Sequence, residues 1–558
     1  MKKHLFFVLV LILLVVPAFI SIIKPGFFPI QDDMQVFRLQ QMDKCFSDGQ
    51  IPCRWIPDAG FQYGYPLYNF YTPFVYYAGE FIHLIGFQFI DSIKILFGLG
   101  FVLAGVSMFV LVNEFFGVLP AMVSSLLYTY APYKAQEVYV RGALSEFWIS
   151  VFFPLVLWAI YKLIKNSNKK YLFWTSFAVG SLFLTHNLLS FIFTPIILFW
   201  SIYWLLMERK VANWKKLLLG FISGLGLSAF FLLPLIFERQ FVHIETLTGG
   251  YFDYRQHFVS IKQLLFINNF GYGSSTLGAG DDLSLSIGII HWILGLIAVA
   301  ISFIDFKKNK KFSILIICFG VIELLTVFLI HEKSSFIWSI ITPLKWMQFP
   351  WRFLSISVFL LSFMSAFTIY SLPKIKYLLA ALVIGILIFF NLSFFKPIKW
   401  LDISDNDKLS GVLWEKELTS SIFDYLPIYA KMPPSKKAPV LPEVVEGKVI
   451  IENYFKGSNY QTGNFIVSSP SIIRLPLFDF PGMKVFLNGQ LINHVNNNCS
   501  NQEFCLGLIT FNVPEGEYFI KAKLENTLIR TIGNIISIVS ILGLVLVLVK
   551  NDKKVSKK

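Results

Sequence analysis

The sequence predicts a polytopic α-helical membrane protein of about twelve transmembrane helices carrying a small C-terminal extracytoplasmic β-sandwich domain. Three observations predict it. First, 55% of the 558 residues are hydrophobic, only 15% are charged, and the mean hydropathy is +0.63; no soluble domain needs that much apolar surface. Second, apolar runs long enough to cross roughly 30 Å of hydrocarbon recur along the chain. Third, the region near 447–523 changes period and alternates polar with β-branched or aromatic residues, as short strands do. A net charge of +14 raises nucleic acid as a partner. The lysines fall instead in short clusters between apolar runs, where they set membrane orientation, so no nucleic-acid partner is expected.

The apolar runs lie near 5–23, 94–112, 118–131, 144–161, 171–186, 188–207, 217–236, 284–304, 312–330, 353–371, 377–394 and 528–549. The first could be read as a signal peptide. No small-x-small cleavage site follows it, so a retained helix is expected. Lys2/Lys3, the clusters at 162–170, 209–216 and 307–311, Lys374/Lys376 and the tail at 550–558 all fall on one side if the runs alternate. That side is the cytoplasm, with both termini in it; the turn at 113–117 carries no positive charge. The expected location is the plasma membrane.

The other side receives the segments 24–91, 132–143, 237–283, 331–352 and 395–527. The expected organisation is a membrane domain over 1–394 with a long first outer loop at 24–91, an extracytoplasmic segment at 395–527 holding the sandwich, and a last helix and basic tail over 528–558. The sandwich rests on the strand-like segments KVIIENY, GNFIVSS, SIIRLPLF, KVFLNGQLI, LGLITFNV and YFIKAKL. Asn488-Gly489 signals a hairpin, because this pair readily takes two positive φ angles. Pro433-Pro434 and Pro442 mark a linker before it. Cys45/Cys53 and Cys499/Cys505 are close pairs in outer segments where disulfides are compatible with the compartment; Cys318 sits in an apolar run and reads as packing.

Asp32 and Asp33 are the leading catalytic candidates. Carboxylates this close to lipid carry a desolvation cost. An adjacent pair can hold one raised pKa, which suits a general base; an Asp N-cap on a helix starting near Met34 explains one of them equally well. The pair could also ligate Mg²⁺ or Mn²⁺, although two carboxylates are an incomplete shell. Arg38 is spaced to pair with Asp33 on a helix. Arg54 and Arg141 lie near interfaces, where a guanidinium fork binds phosphate at two points or snorkels to headgroups. Glu146, His186 and Asn187 stand at the outer ends of apolar runs, where ionisable groups are functional candidates by default. Tyr65 belongs to an aromatic cluster able to anchor at the interface or stack on a sugar face. Gly271-Tyr272-Gly273 and Gly278-Ala279-Gly280 read as loop glycines, and there is no P-loop, dinucleotide turn or zinc-spaced His/Glu pair.

The segments DDMQVFRL, DGQIPCRWIPDAG, YGYPLYNFYTPFVYY, VRGALSEFWISVFFPLVLW, LTHNLLSF, NNFGYGSSTLGAGDDLSLSIG, MQFPWRFL and FDFPGMKVFLNGQ occur in this order. Together they resemble the bacterial membrane family labelled 6-pyruvoyl-tetrahydropterin synthase related, close to the YfhO-like membrane proteins. The resemblance implies the GT-C glycosyltransferase superfamily, multi-span enzymes that use polyprenyl-phosphate sugars on the non-cytoplasmic face with an acidic residue of the first outer loop as base. By position that role falls on Asp32 or Asp33, with Arg54, Arg141 and Arg352 as candidates to hold the leaving phosphate and Gln348 beside Arg352 in QFPWRF as a further substrate contact. The pterin chemistry in the label is not supported, because the soluble enzyme's zinc histidine cluster is missing. The implied partners are a polyprenyl-phosphate-linked sugar, membrane lipid, and a glycan, lipid or protein acceptor. A lipid or polysaccharide transporter is the alternative, and a cell-envelope scaffold using the β-domain a third; under the enzyme reading, deleting 447–523 is expected to spare activity.

Overall fold

The computed structural model describes residues 2–265, 271–277 and 283–555. The loop glycines 278–280, the neighbouring Asp281 and Asp282, the Asn268-Asn269-Phe270 end of their motif, and tail residues 556–558 lie outside the described residues.

Each of the twelve apolar runs contains a helix. Among the described residues, seven helices are long and apolar enough to cross a membrane: Phe89–Phe116, Leu144–Asn166, Asn187–Met207, Lys310–Ile330, Pro350–Ser371, Lys376–Phe394 and Leu528–Val549. Val211–Leu227 and Ala229–Phe237 form an eighth, bent by 73°. The bend falls at Ser228, whose Oγ donates to the carbonyl of Leu225 at 3.1 Å and so competes with the helix ladder. The remaining four helices, Leu5–Ala18, Val118–Thr129, Ile289–Ile304 and Lys169–Thr185, are shorter than a full span. Hydropathy overran these ends because it does not register the breakers. Pro17 turns the first run into 3-10 helix, Pro132 follows the third, and Gly288, at φ 102°, delays the start of the eighth.

The Leu354–Ser371 helix is buried along almost its whole length and forms the centre of the bundle. The Lys376–Asn391 and Leu528–Val555 helices lie outside it and expose Leu378, Leu382, Phe389, Ile538 and Leu542, the surface a bilayer would cover. One end of the bundle gathers charged and polar pairs. Lys162 and Lys165 pair with Glu114, Lys311 pairs with Glu208, and Asn213 donates to Ile164.

The long segments meet at the other end. The first contains helices Gln35–Ser47, Leu67–Phe70 and Phe74–Leu84, with Cys45 and Cys53 joined as a disulfide; Cys499 and Cys505 are also joined, and Cys318 is free. Two backbone hydrogen bonds, Phe27 to Leu401 at 2.9 Å and back at 2.8 Å, tie this segment to the stretch after the Lys376–Asn391 helix. Behind it, Arg54 is buried away from lipid headgroups. It donates to Asn69 Oδ1, to the Phe230 carbonyl and to Asn534 Oδ1, while Asn69 and Arg530 both donate to Glu238. This network staples the first segment to the bent helix and the last one.

The C-terminal region is antiparallel, as its alternation requires. Strands β1 (Glu443–Lys456), β2 (Tyr460–Phe478), β3 (Met483–Leu487), β4 (Gln490–Ile492), β5 (Leu508–Val513) and β6 (Gly516–Leu524) form one sheet where two facing sheets were expected. The reason lies in the 19-residue β2, which pairs β6 with its first half and β5 with its second, so the sheet curls over its own core. The Asn488-Gly489 turn closes the β3–β4 hairpin with φ 48° and 84°. Trp55, Tyr63 and Phe70 of the first segment complete that core, with Trp55 6.0 Å from Phe480 and Tyr63 5.3 Å from Phe478 between ring centroids. The sheet domain is therefore built into the membrane domain's long loop.

Candidate active site

A cavity of about 620 Å³ lies where the long segments meet the helix ends. Asp32, Arg38, Arg141, Glu146, His186, Asn187, Gln348 and Arg352 all line it. Asp33, Arg54 and Tyr65 do not. Tyr65 is buried and donates to the Ser421 carbonyl, so it has no face free for a sugar.

Main-chain pairing sets the acid beside the cations. Gln31 N donates to Val140 O and Asp32 N to Arg141 O, each at 2.9 Å. Gln35 clips the same junction, donating to the Gly142 carbonyl at 2.9 Å and to Asp32 Oδ2 at 2.8 Å. Gly142 has φ +62°, and a Cβ there would stand 2.4 Å from Ile30 Cδ1, so only glycine allows this approach. The helix begins at Gln35 after Met34, and neither aspartate caps it. Arg38, expected to pair with Asp33, pairs with Asp32 at 2.8 Å and lies over the Tyr71 ring. Burial works against the Arg38 charge, but Asp32, Tyr71 and Tyr76 together outweigh it and the pKa rises. Asp33 turns the other way, to Lys408 at 2.7 Å, which also holds Glu417 at 2.8 Å. Burial raises the Asp33 pKa, and Lys408 offsets only part of the rise.

Across the cavity, Glu146 is the hub of a buried cationic cluster. It accepts two bonds from Arg141 at 2.9 and 2.8 Å and one from Arg352 Nε at 3.2 Å. Charge-assisted forks of this kind hold guanidinium groups in fixed planes. Arg141 is further fixed over the Trp351 ring at 4.4 Å. Arg352 also donates to Gln348 Oε1, whose own residue is held at φ 62° and bonds the Leu247 carbonyl. Such strained backbone concentrates at working sites. His186 Nδ1 accepts the Leu189 N–H as a helix cap, leaving the ring's second nitrogen for the cavity it lines.

Two charged cavity residues, Arg239 and Asp424, escaped the sequence reading, as did Tyr425 beside the second. Backbone bonds His243 to Leu426 and Ile428 to Phe241 bring the two distant segments together. Arg239 is exposed at the mouth and has no ion-pair partner among the described residues. Asp424 lines the cavity; burial pushes its pKa up to about 6, with Arg38 opposing. An acid in an aromatic stretch, SSIFDYLPIY, was the one available signal. The cavity therefore holds four arginines (Arg38, Arg141, Arg239, Arg352) and three carboxylates (Asp32, Glu146, Asp424). Its flank is apolar. Phe191 of the Asn187–Met207 helix and Ile236 of the bent helix line it and are also exposed at the surface.

Among the described residues no group of three or more His, Cys, Asp or Glu side chains is placed to hold a metal ion. Of the pair first considered, Asp33 is held by Lys408, and Asp32 Oδ2 is taken by Arg38 and Gln35. These two carboxylates do not fit a divalent site.

A family model described as a 6-pyruvoyl-tetrahydropterin synthase related domain, membrane protein, matches residues 68–398, more than half of the chain. An uncharacterized protein of Lactococcus lactis subsp. cremoris (strain MG1363) is 23% identical over 307 residues, which are 52% of this chain and 48% of the relative. The chain thus spans about half the length of the curated relative it matches. Among solved structures it is similar to the arabinofuranosyltransferase AftD from Mycobacteria, with 12% identity and a TM-score of 0.46 over 72% of this chain and 27% of that one. It is also similar to the oligosaccharyltransferase AglB from Archaeoglobus fulgidus, solved with an inhibitory peptide and a dolichol-phosphate, with 14% identity and a TM-score of 0.44 over 70% of this chain and 55% of that one. The chain belongs to the 6-pyruvoyl-tetrahydropterin synthase related family of membrane proteins.

Proposed function

We propose that the protein is an integral-membrane glycosyltransferase that moves a sugar from a polyprenyl-phosphate carrier to an acceptor hydroxyl on the extracytoplasmic face of the plasma membrane. The observation that carries this reading is the polarised cavity. It has the Arg141–Glu146–Arg352 cluster on one side, Arg38 with Asp32 and Asp424 on the other, and an apolar flank where Phe191 and Ile236 reach the surface. A lipid-linked phosphate has the matching parts. Its chain lies along the apolar flank, and its phosphate meets Arg239 at the mouth and Arg141 and Arg352 within. Among the described residues Arg239 has no carboxylate partner, so its charge is available to the ligand. Arg141 and Arg352 share one glutamate, so the pair keeps a net positive charge.

In the reaction the acceptor oxygen forms a bond to the anomeric carbon, and the bond from that carbon to the phosphate oxygen breaks. The electron pair leaves on the phosphate, and the hydroxyl proton passes to a carboxylate of the Arg38 side, where Asp32 and Asp424 stand. Phosphate is a good leaving group, so positioning and charge stabilisation supply most of the acceleration.

The test uses membranes or nanodiscs holding the wild-type protein and a panel of labelled polyprenyl-phosphate sugars, with extracts of the cell envelope as acceptor. Transfer with release of polyprenyl phosphate is expected, and Arg352→Ala should reduce it at least tenfold. Failure of wild-type protein to transfer from every carrier in the panel, or full activity in Arg352→Ala, would overturn the reading.

A further inference from the structure

Three carboxylates come from the loop segments around the cavity: Asp32, Asp33 and Asp424. Two are committed. Asp32 Oδ2 accepts from Arg38 at 2.8 Å and from Gln35 at 2.8 Å. Asp33 is held by Lys408 at 2.7 Å and is absent from the cavity wall. Asp424 differs from both. No ion pair reaches it among the described residues, its side-chain hydrogen bond comes from Ser421, and it lines the cavity together with Ser421 and Tyr425. A carboxylate locked in an ion pair is a poor proton acceptor, because protonation breaks the pair.

We propose, building on the glycosyl-transfer reading, that Asp424 is the catalytic base that takes the acceptor's proton, while Asp32 anchors Arg38 beside it. In this step the acceptor O–H bond breaks, its electron pair forms the bond from oxygen to the anomeric carbon, and the proton moves to the Asp424 carboxylate. The pair from the broken carbon–phosphate oxygen bond stays on the departing phosphate. The segment leading into the sheet domain thereby supplies the reacting group, which explains why that domain is keyed into the first loop through Trp55 and Tyr63.

The charged and titratable groups facing Asp424 are known. Arg38 and Asp32 come from the first segment with Tyr65 and Tyr71, and Tyr425 is its neighbour. Arg141, Arg239, Arg352, Glu146, His186 and Tyr251 are the other such groups lining the cavity. Burial sets the carboxyl's titration near neutral, with a pKa of about 6, where a base works at physiological pH.

Two experiments test this. In the first, wild-type protein in nanodiscs is treated with dicyclohexylcarbodiimide, which modifies protonated carboxyls in apolar surroundings, and adducts are mapped by mass spectrometry from pH 4 to 8. Asp424 is expected to be labelled, with a midpoint at about 6, while ion-paired Asp32 stays unlabelled. Labelling of Asp32 in preference to Asp424, or no labelling of Asp424 at any pH, overturns the proposal without any knowledge of the substrate. In the second, Asp424→Asn is expected to lower kcat by about 100-fold or more and to abolish the acid limb of the pH–rate profile, with Asp424→Glu restoring that limb. Transfer that survives Asp424→Asn overturns the proposal and leaves the transfer reading standing. Absence of transfer by the wild-type protein overturns both.

Discussion

Gly142→Ala tests how the site is assembled. Gly142 sits at φ +62°, and a Cβ would lie 2.4 Å from Ile30 Cδ1 and 2.7 Å from Ile30 Cβ. The left-handed conformation costs alanine roughly 1–2 kcal/mol. Relieving the overlap by shifting buried Ile30 and its backbone costs about 1–3 kcal/mol more. The total, about 2–5 kcal/mol, is comparable to large single-site effects. The shift is transmitted directly, because Asp32 N bonds Arg141 O and Gln35 bonds the Gly142 carbonyl. A displacement of about 1 Å between the Asp32 side and the Arg141 side should reduce transfer on the order of 100-fold. The assay pairs thermal denaturation in detergent with the transfer measurement. Gly142→Ala should lower both. Gly385→Ala is the control: nothing lies within 4 Å of its added Cβ, and alanine is the better helix former. Unchanged stability and activity in Gly142→Ala would refute the reasoning.

Three further outcomes are expected. Lys408→Met should destabilise the protein by about 3–5 kcal/mol, since it strands Asp33 and Glu417 together. The folded pKa of Lys408 is raised, burial opposing the charge and Asp33 and Glu417 outweighing it; its contribution is thus complete below the unfolded lysine value and is lost only as the pH rises through the higher folded value, so the difference from wild type in thermal stability should be full at pH 7 and shrink under strongly alkaline conditions. Arg239→Ala should weaken binding of radiolabelled polyprenyl phosphate while leaving the denaturation midpoint unchanged, since Arg239 is exposed and has no ion-pair partner among the described residues. Deleting 447–523, expected from the sequence to spare activity, should instead abolish it and lower yield in a detergent-solubility assay, because Trp55, Tyr63 and Phe70 lose their packing.

The membrane helices were legible because their signal is local: an apolar run needs no partner to be recognised. Glu146 and Arg141 were legible for the same reason, as charges near the ends of such runs, while Arg352 was reached through the family resemblance. What the sequence withheld depends on contacts between distant residues. Asp32 and Asp33 are chain neighbours, and only Lys408, 375 residues away, separates their roles. Arg54 read as an interfacial cation, and its partners Asn69, Phe230 and Asn534 come from three segments. Arg239 and Asp424 lie in stretches without periodicity and reach the cavity through backbone pairing of residues 241–243 with 426–428. The single curled sheet was hidden because alternation reveals strands but not which of them continue through a bend.

The most direct measurement is photocrosslinking of a polyprenyl phosphate bearing a photoreactive group on its first isoprene unit to the wild-type protein in nanodiscs, with adducts mapped by mass spectrometry. Adducts at Leu188, Phe191, Leu235 and Ile236, displaced by unlabelled polyprenyl phosphate and weakened in Arg239→Ala, are the expected result. Adducts scattered over the outer faces of the Lys376–Asn391 and Leu528–Val555 helices, with none at the cavity flank, would contradict the assignment of this cavity to a lipid-linked phosphate.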